Sequence, residues 1–309
     1  MGTPLRLGIV GLGKIARDQH LPAIAATEGV ELAAVASRHA SADGVPHYAT
    51  IDEMLAAEPA MNAVALCQPP QARFEAARAA ILAGRHVFLE KPPGATVSEV
   101  QALVELAAGQ GVTLFASWHS RWAAAVEPAR AWIAARRLER IAIRWKEDVR
   151  HWHPGQAWIW EPGGFGVFDP GINALSILTH IVGEPVRLLE AGLEIPANRQ
   201  APIAARLAMG TASGAPVDAV FDWRQTGPQS WDIAVEAGGE RLLLGNGGNS
   251  LTIGGVASPC AAEEEYPAMY RHFRDLVRAG RSDVDLAPLQ LVADAFLCAR
   301  RQAAEPFDD

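Results

Sequence analysis

An apolar run, Leu5-Arg6-Leu7-Gly8-Ile9-Val10, passes without interruption into Gly11-Leu12-Gly13-Lys14-Ile15-Ala16. A buried strand that turns on glycines directly into a helix belongs to an α/β layer, and Gly-x-Gly-x-x-Ala is one form of the turn that holds a dinucleotide pyrophosphate. Gly11 permits the tight turn, Gly13 lets backbone approach a phosphate, and Ala16 is small enough for the helix to pack on the strand. N–H groups at the helix start, around Lys14 and Ile15, then face the phosphates. Taken alone, the turn also fits a glycine-rich connection in some other α/β protein.

The next strand, Val30 to Ala36, ends in Ser37-Arg38. A carboxylate about 20 residues past the glycines marks domains that hold the ribose 2′-hydroxyl of NAD, and none is present here. A hydroxyl beside a guanidinium suits a 2′-phosphate, so NADP is the expected preference. NAD remains a second expected cofactor, because arginine also stacks on adenine.

Strand and helix patterns go on alternating to about residue 120. Ala63 to Cys67 reads as a strand closed by Gln68-Pro69-Pro70, Gln71 to Ala83 as a helix capped by Gly84, and 85–89 as a strand ending in Glu90-Lys91-Pro92. A helix over 98–108 and a strand over 112–116 follow. This predicts a doubly wound parallel sheet, a Rossmann domain over residues 1–120, with Cys67, Gln68, Glu90 and Lys91 at strand ends facing the cofactor. Over 121–309 the texture changes: a helix at 123–135, then extended segments at 140–147, 185–193, 202–208, 217–223, 231–236 and 240–244. That is an α+β domain with a largely antiparallel open sheet and helices on one face, expected to bind substrate and to join copies of the chain in a homo-oligomer.

Lys and Arg number 27 against 35 acids, for a formal charge of −8, with no basic block. Nucleic acid and anionic membrane are therefore not expected partners. No stretch of 18 apolar residues occurs and no signal-like segment opens the sequence, so the expected location is cytoplasmic. Cys67, Cys260 and Cys298 are widely spaced without Cys-x-x-Cys, which predicts neither disulfide nor metal site, and each is expected as a small core residue.

The glycine turn, Pro69-Pro70, the run Ala83 to Pro92 and the segment Gly163-Gly164-Phe165-Gly166-Val167-Phe168-Asp169-Pro170-Gly171-Ile172-Asn173 together resemble the Gfo/Idh/MocA oxidoreductases across essentially the whole chain. In that family the lysine of Glu-Lys-Pro and an Asp…His pair from the second domain surround the reacting hydroxyl. The resemblance implies Lys91 and Asp169 as catalytic residues. Asn173 departs from it, standing where dehydrogenases of cyclic polyols commonly carry histidine. With the Trp- and His-rich segment, that asparagine resembles the family's members that oxidise L-arabinose and D-galactose at C1.

Oxidising a sugar hydroxyl requires a base for the O–H proton while hydride leaves the same carbon. Asn173 cannot be that base, but it can orient substrate. The proton task then falls to Asp169, Lys91 or both. Asp169 also has the place of an N-cap for the helical run 172–181. Indole rings beside polar groups match the apolar faces and hydroxyl rim of a pyranose, so Glu147, His153 and His119 are expected as polar contacts and Trp152 and Trp231 as walls. The expected activity is NAD(P)-dependent oxidation of a cyclic aldose (L-arabinose, D-galactose or 6-deoxy-D-galactose) to its lactone. Alternatives are a dehydrogenase of a cyclic polyol or dihydrodiol, and a non-catalytic NADP-sensing regulator.

Overall fold

Strands β1 (Leu5–Val10), β2 (Val30–Ala36), β3 (His47–Tyr48), β4 (Ala63–Leu66), β5 (His86–Glu90) and β6 (Leu114–Ser117) pair in the order β3-β2-β1-β4-β5-β6. Every pairing is parallel. Such strands must be covered on both faces, which is why β4 and most of β5 are apolar at consecutive positions rather than at alternate ones. The strand order reverses at β1 and β4, so the carboxyl ends of these strands open the crevice where a parallel sheet holds its ligand. The computed structural model describes residues 4–262 and 264–308.

The helices of this sheet are α1 (Leu21–Ala26), α2 (Ile51–Ala57), α3 (Arg73–Leu82) and α4 (Val97–Gln110). A reciprocal capping box of Thr96 and Glu99 starts α4. On one side the sheet packs through Met54, Met61, Leu66, Ile81 and Leu103. Phe88 and Phe115 pack instead on a segment much later in the chain: Tyr270 stacks on Phe88 at 5.0 Å and Phe273 on Phe115 at 6.1 Å. Beyond that segment, Asp283 exchanges backbone hydrogen bonds with Leu114 and Ala116 alongside β6.

The chain accordingly forms two compact units, one reaching to His119 and taking in Tyr266–Leu286, the other made of Ser120–Glu265 and the residues from Ala287 on. The expected single cut at 120/121 misses this return. Sequence adjacency carries no information about which sheet a distant amphipathic helix will cover.

In the second unit, helices α5 (Val126–Ala134), α6 (Val149–Trp152), α7 (Phe168–Val182) and α9 (Ala287–Cys298) accompany a nine-stranded sheet; α8 (Glu265–Ala279) carries the chain back to the first unit. Its strands are β7 (Leu138–Lys146), β8 (Val186–Pro196), β9 (Ala204–Thr211), β10 (Pro216–Asp222), β11 (Ser230–Ala237), β12 (Glu240–Gly245), β13 (Ser250–Ile253), β14 (Val256–Ser258) and β15 (Arg300–Ala304). They run in the order β14-β13-β12-β11-β7-β10-β9-β8-β15. Two pairings, β7 with β10 and β8 with β15, are parallel; the others are antiparallel.

Period-2 alternation sends Ile141, Ile143 and Trp145 of β7 and Val217, Ala219 and Phe221 of β10 into the core. α7 packs on β7 and between α5 and α9. Arg140 and Asp218, by contrast, are exposed and form an ion pair. The cysteines depart from expectation, since Cys67 and Cys260 are half-buried and Cys298 is exposed near the end of α9. No helix among the described residues is long and apolar enough to cross a membrane.

Candidate active site

In the first unit, the polar groups gather at the carboxyl ends of β1, β4 and β5. Gly11 has φ +89°, and a Cβ there would lie 2.9 Å from the backbone nitrogen of Gln68, so only glycine fits this turn. Beside Gly13 the reverse holds: nothing lies within 4 Å of a Cβ position, leaving open space next to the backbone. Ala16 is fully buried, and a π-helical turn, Ala16–His20, leads into α1. Lys14 is exposed and pairs with Asp18, and Ile15 is an exposed apolar side chain. Ser37, half-buried after β2, is fixed by backbone bonds to Tyr48 and to the His47 ring, while Arg38 is exposed. Half-buried Cys67 donates its N–H to Val10, and the Gln68 side-chain oxygen is buried without a hydrogen-bond partner.

Lys91 follows the last residue of β5, on the amino side of a cis Lys91-Pro92 bond. The Arg73 guanidinium, almost wholly buried, donates to the carbonyl oxygens of Gln68, Glu90 and Pro92 and so clamps the turn from below. From the other side Glu90 accepts bonds from His20 and Tyr266, residues on the turn before α1 and on α8. Burial works against the His20 imidazolium, but Cys67 and Glu90 outweigh it and hold the ring at about 10. Burial likewise opposes the Glu90 carboxylate, while His20, His119 and Tyr266 hold it at about 2. The two therefore form a buried ion pair. His119, expected as a sugar contact, belongs to this unit and stacks on Tyr266 at 5.7 Å.

In the second unit Asp169, His153, Glu147, Trp231 and Trp152 are joined through Trp223 in one continuous chain of contacts. Asp169 is 3% exposed in the first turn of α7, and Asn173 lies one turn further on the same helix. Asp169 is not the N-cap that its Asp-Pro-Gly setting suggested, because the helix begins at Phe168. Its N–H bonds back to the Gly166 carbonyl, and Gly166 takes φ +51° where a Cβ would strike the Pro202 oxygen at 2.3 Å. His153 brings Nε2 to 3.4 Å from Asp169 Oδ2, with its Nδ1 at 3.3 Å from Gln156. The residue closing α6 thus sets an imidazole beside the Asp169 carboxylate.

Trp223 continues the chain. Its ring lies 5.3 Å from His153, and its indole N–H donates to Glu147 Oε1 at 3.1 Å. Trp231 donates to Glu147 Oε2 at 2.8 Å and meets the Trp152 ring edge-on at 5.9 Å. Glu147 is buried, and both its oxygens are engaged by indoles. Trp152 is 43% exposed. Trp223, fully buried at the end of β10, is the residue sequence reasoning missed, since a tryptophan closing a strand reads as core. Arg73, His20 and Tyr266 were missed likewise, their roles being made by contacts across long stretches of chain.

A model of the oxidoreductase family with an NAD-binding Rossmann fold matches residues 5–117. Over 306 residues, 99% of either chain, the sequence is 45% identical to galactose 1-dehydrogenase of Pseudomonas fluorescens. The chain belongs to the Gfo/Idh/MocA family of oxidoreductases. The solved structure of D-galactose-1-dehydrogenase from Rhizobium etli matches this Gfo/Idh/MocA oxidoreductase with a TM-score of 0.96 and 56% identity, covering 100% of this chain and 99% of that one. A variant 3-ketoreductase from Actinomadura kijaniata, solved with TDP-benzene and NADP, shares the fold at 18% identity and a TM-score of 0.86 over 97% of this chain and 99% of that one. The NAD(P)-binding fold that defines the Gfo/Idh/MocA family fits the first unit: the space beside Gly13 and the unsatisfied Gln68 oxygen are what a bound dinucleotide would fill and satisfy.

Proposed function

We propose that this oxidoreductase is an aldose 1-dehydrogenase, converting a cyclic L-arabinose, D-galactose or 6-deoxy-D-galactose to its lactone with a preference for NADP over NAD. The observation that carries the reading is the contact chain Asp169, His153, Trp223, Glu147, Trp231, Trp152, which sets aromatic surface beside oriented polar groups in one unit. The full-length likeness to two galactose 1-dehydrogenases supports the same activity.

Gly11, Gly13, Lys14, Ile15, Ser37, Arg38, Cys67, Gln68, Glu90 and Lys91 would hold the nicotinamide dinucleotide, which when bound supplies the hydride acceptor. Lys91 and Asp169 are the proton-handling groups. A carboxylate beside an imidazole can accept the hydroxyl proton or orient the ring that does, and Asp169 with His153 has that form. The proton of an anomeric hydroxyl is more acidic than that of an ordinary alcohol, so a weak base suffices. Asn173 has donors and an acceptor to hold a ring hydroxyl. Glu147 sets its two indoles, and His153 and His119 are further polar groups proposed to contact the sugar. The protein acts in the cytoplasm and self-associates through the outer face of the nine-stranded sheet.

The test is cofactor reduction measured with a panel of sugars, NADP and NAD being used separately. L-Arabinose, D-galactose and 6-deoxy-D-galactose should all react, because an exocyclic group changes little. D-Glucose, epimeric at C4, should be poorer by at least about tenfold, since an inverted hydroxyl leaves buried polar groups without partners. Strong activity on myo-inositol with none on free aldoses would replace this reading with the polyol dehydrogenase.

A further inference from the structure

Glu90 is an acceptor among donors. Its Oε1 receives the Tyr266 hydroxyl at 2.7 Å and lies 3.1 Å from His20 Nε2, while its Oε2 receives the Lys91 backbone N–H at 2.6 Å. His20 is fixed in turn, with Nδ1 2.6 Å from the Tyr270 hydroxyl and its ring edge-on to Phe88 at 5.6 Å. Burying a carboxylate at a strand end is costly unless it is paired and hydrogen-bonded. A pair serving stability alone would be complete with His20 and Tyr266. Here both of those partners converge on one oxygen, and the other oxygen is committed to the N–H of the next residue.

We propose that Glu90 is a positioning residue for Lys91, fixing the backbone from which the lysine side chain springs, and that His20 and Tyr266 hold Glu90 for that purpose. The inference rests on the reading of Lys91 as a proton-handling group. With Oε2 bound to the Lys91 N–H, rotation of the peptide between the two residues is restricted. With Arg73 bound to the carbonyls of Glu90 and Pro92, the turn is held on its opposite side. Only a carboxylate serves, because three donors surround it and glutamine would turn an NH₂ toward at least one of them. The His20 link also ties the lysine to the helical turn that begins at the glycines, so the phosphate-binding backbone and the lysine share one rigid support.

The test compares Glu90→Gln, Lys91→Ala and the double variant, measuring single-turnover sugar oxidation and cofactor affinity by fluorescence. Glu90→Gln should slow hydride transfer about tenfold or more with cofactor held saturating, so that any change in cofactor Kd does not enter the rate. In the Lys91→Ala background the same change should cost less than about twofold, because a residue acting through Lys91 has nothing left to position. An equal loss in both backgrounds would make Glu90 merely structural and overturn the proposal, as would turnover of a folded Glu90→Gln within about twofold of the parent. If Glu90→Gln does not fold, Tyr266→Phe keeps the charge and removes one bond. It should then slow transfer about threefold, again only when Lys91 is present, and an unchanged rate would overturn the proposal. Near-normal turnover of Lys91→Ala would overturn both the lysine's role and this inference, whereas normal effects of Lys91→Ala without any from Glu90 would overturn the inference alone.

Discussion

At the scale of single residues, cofactor choice turns on Ser37 and Arg38. Ser37 is held by its own backbone bonds, so an aspartate there would enter the same place without rebuilding the loop. Ser37→Asp should repel a 2′-phosphate and give the NAD ribose an acceptor, shifting the NADP-to-NAD ratio of kcat/KM by more than about tenfold, or roughly 1.4 kcal/mol. A ratio that does not move would remove both residues from the cofactor site. The places of Lys91 at a strand end and of Asp169 at a helix start were legible in the sequence because short motifs surround them. Arg73 and Trp223 were not, for nothing near them in sequence announces that a guanidinium will collect three carbonyls or that an indole will bridge a glutamate and a histidine.

Among elements, the pair joining the turn before α1 to the end of β5 has a measurable signature in stability. His20 is raised from 6.5 to about 10, so what it contributes is whole below pH 6.5 and lost as pH climbs toward 10. Glu90 is lowered from 4.5 to about 2, so its contribution is whole above pH 4.5 and lost as pH falls toward 2. Both are fully present only between those two limits. His20→Gln should therefore destabilise most near pH 5.5, by about 3–5 kcal/mol for a broken buried pair, and progressively less toward about pH 10. Thermal unfolding of parent and variant across that range checks this, and a constant difference would show that packing rather than charge holds the ring. Five of the parallel strands and helices α3 and α4 were readable from apolar runs and a glycine cap, whereas β3, α1 and α2 were not anticipated. β13, β14 and β15 were not, being short or exposed segments whose alternation has little core to face.

For the whole molecule, α8 is an element that the sequence reading did not anticipate. Tyr266, Met269, Tyr270, Phe273 and Leu276 mark a buried stripe at helical spacing, yet only the three-dimensional structure assigns it to the first sheet. A fragment ending at residue 120 should lack the cover for Phe88 and Phe115, remain poorly soluble and show no cooperative unfolding by circular dichroism. The same fragment supplied with a peptide spanning 264–286 should recover helical signal and a melting transition; a stable, cooperative 1–120 fragment would contradict this. Because the stretch that completes the first unit runs to Leu286, a nascent chain leaving the ribosome makes Ser120–Glu265 of the second unit before its nucleotide-binding half can close. That half must wait, partly open, until α8 has been made, and a premature stop anywhere before α8 costs the cell both halves.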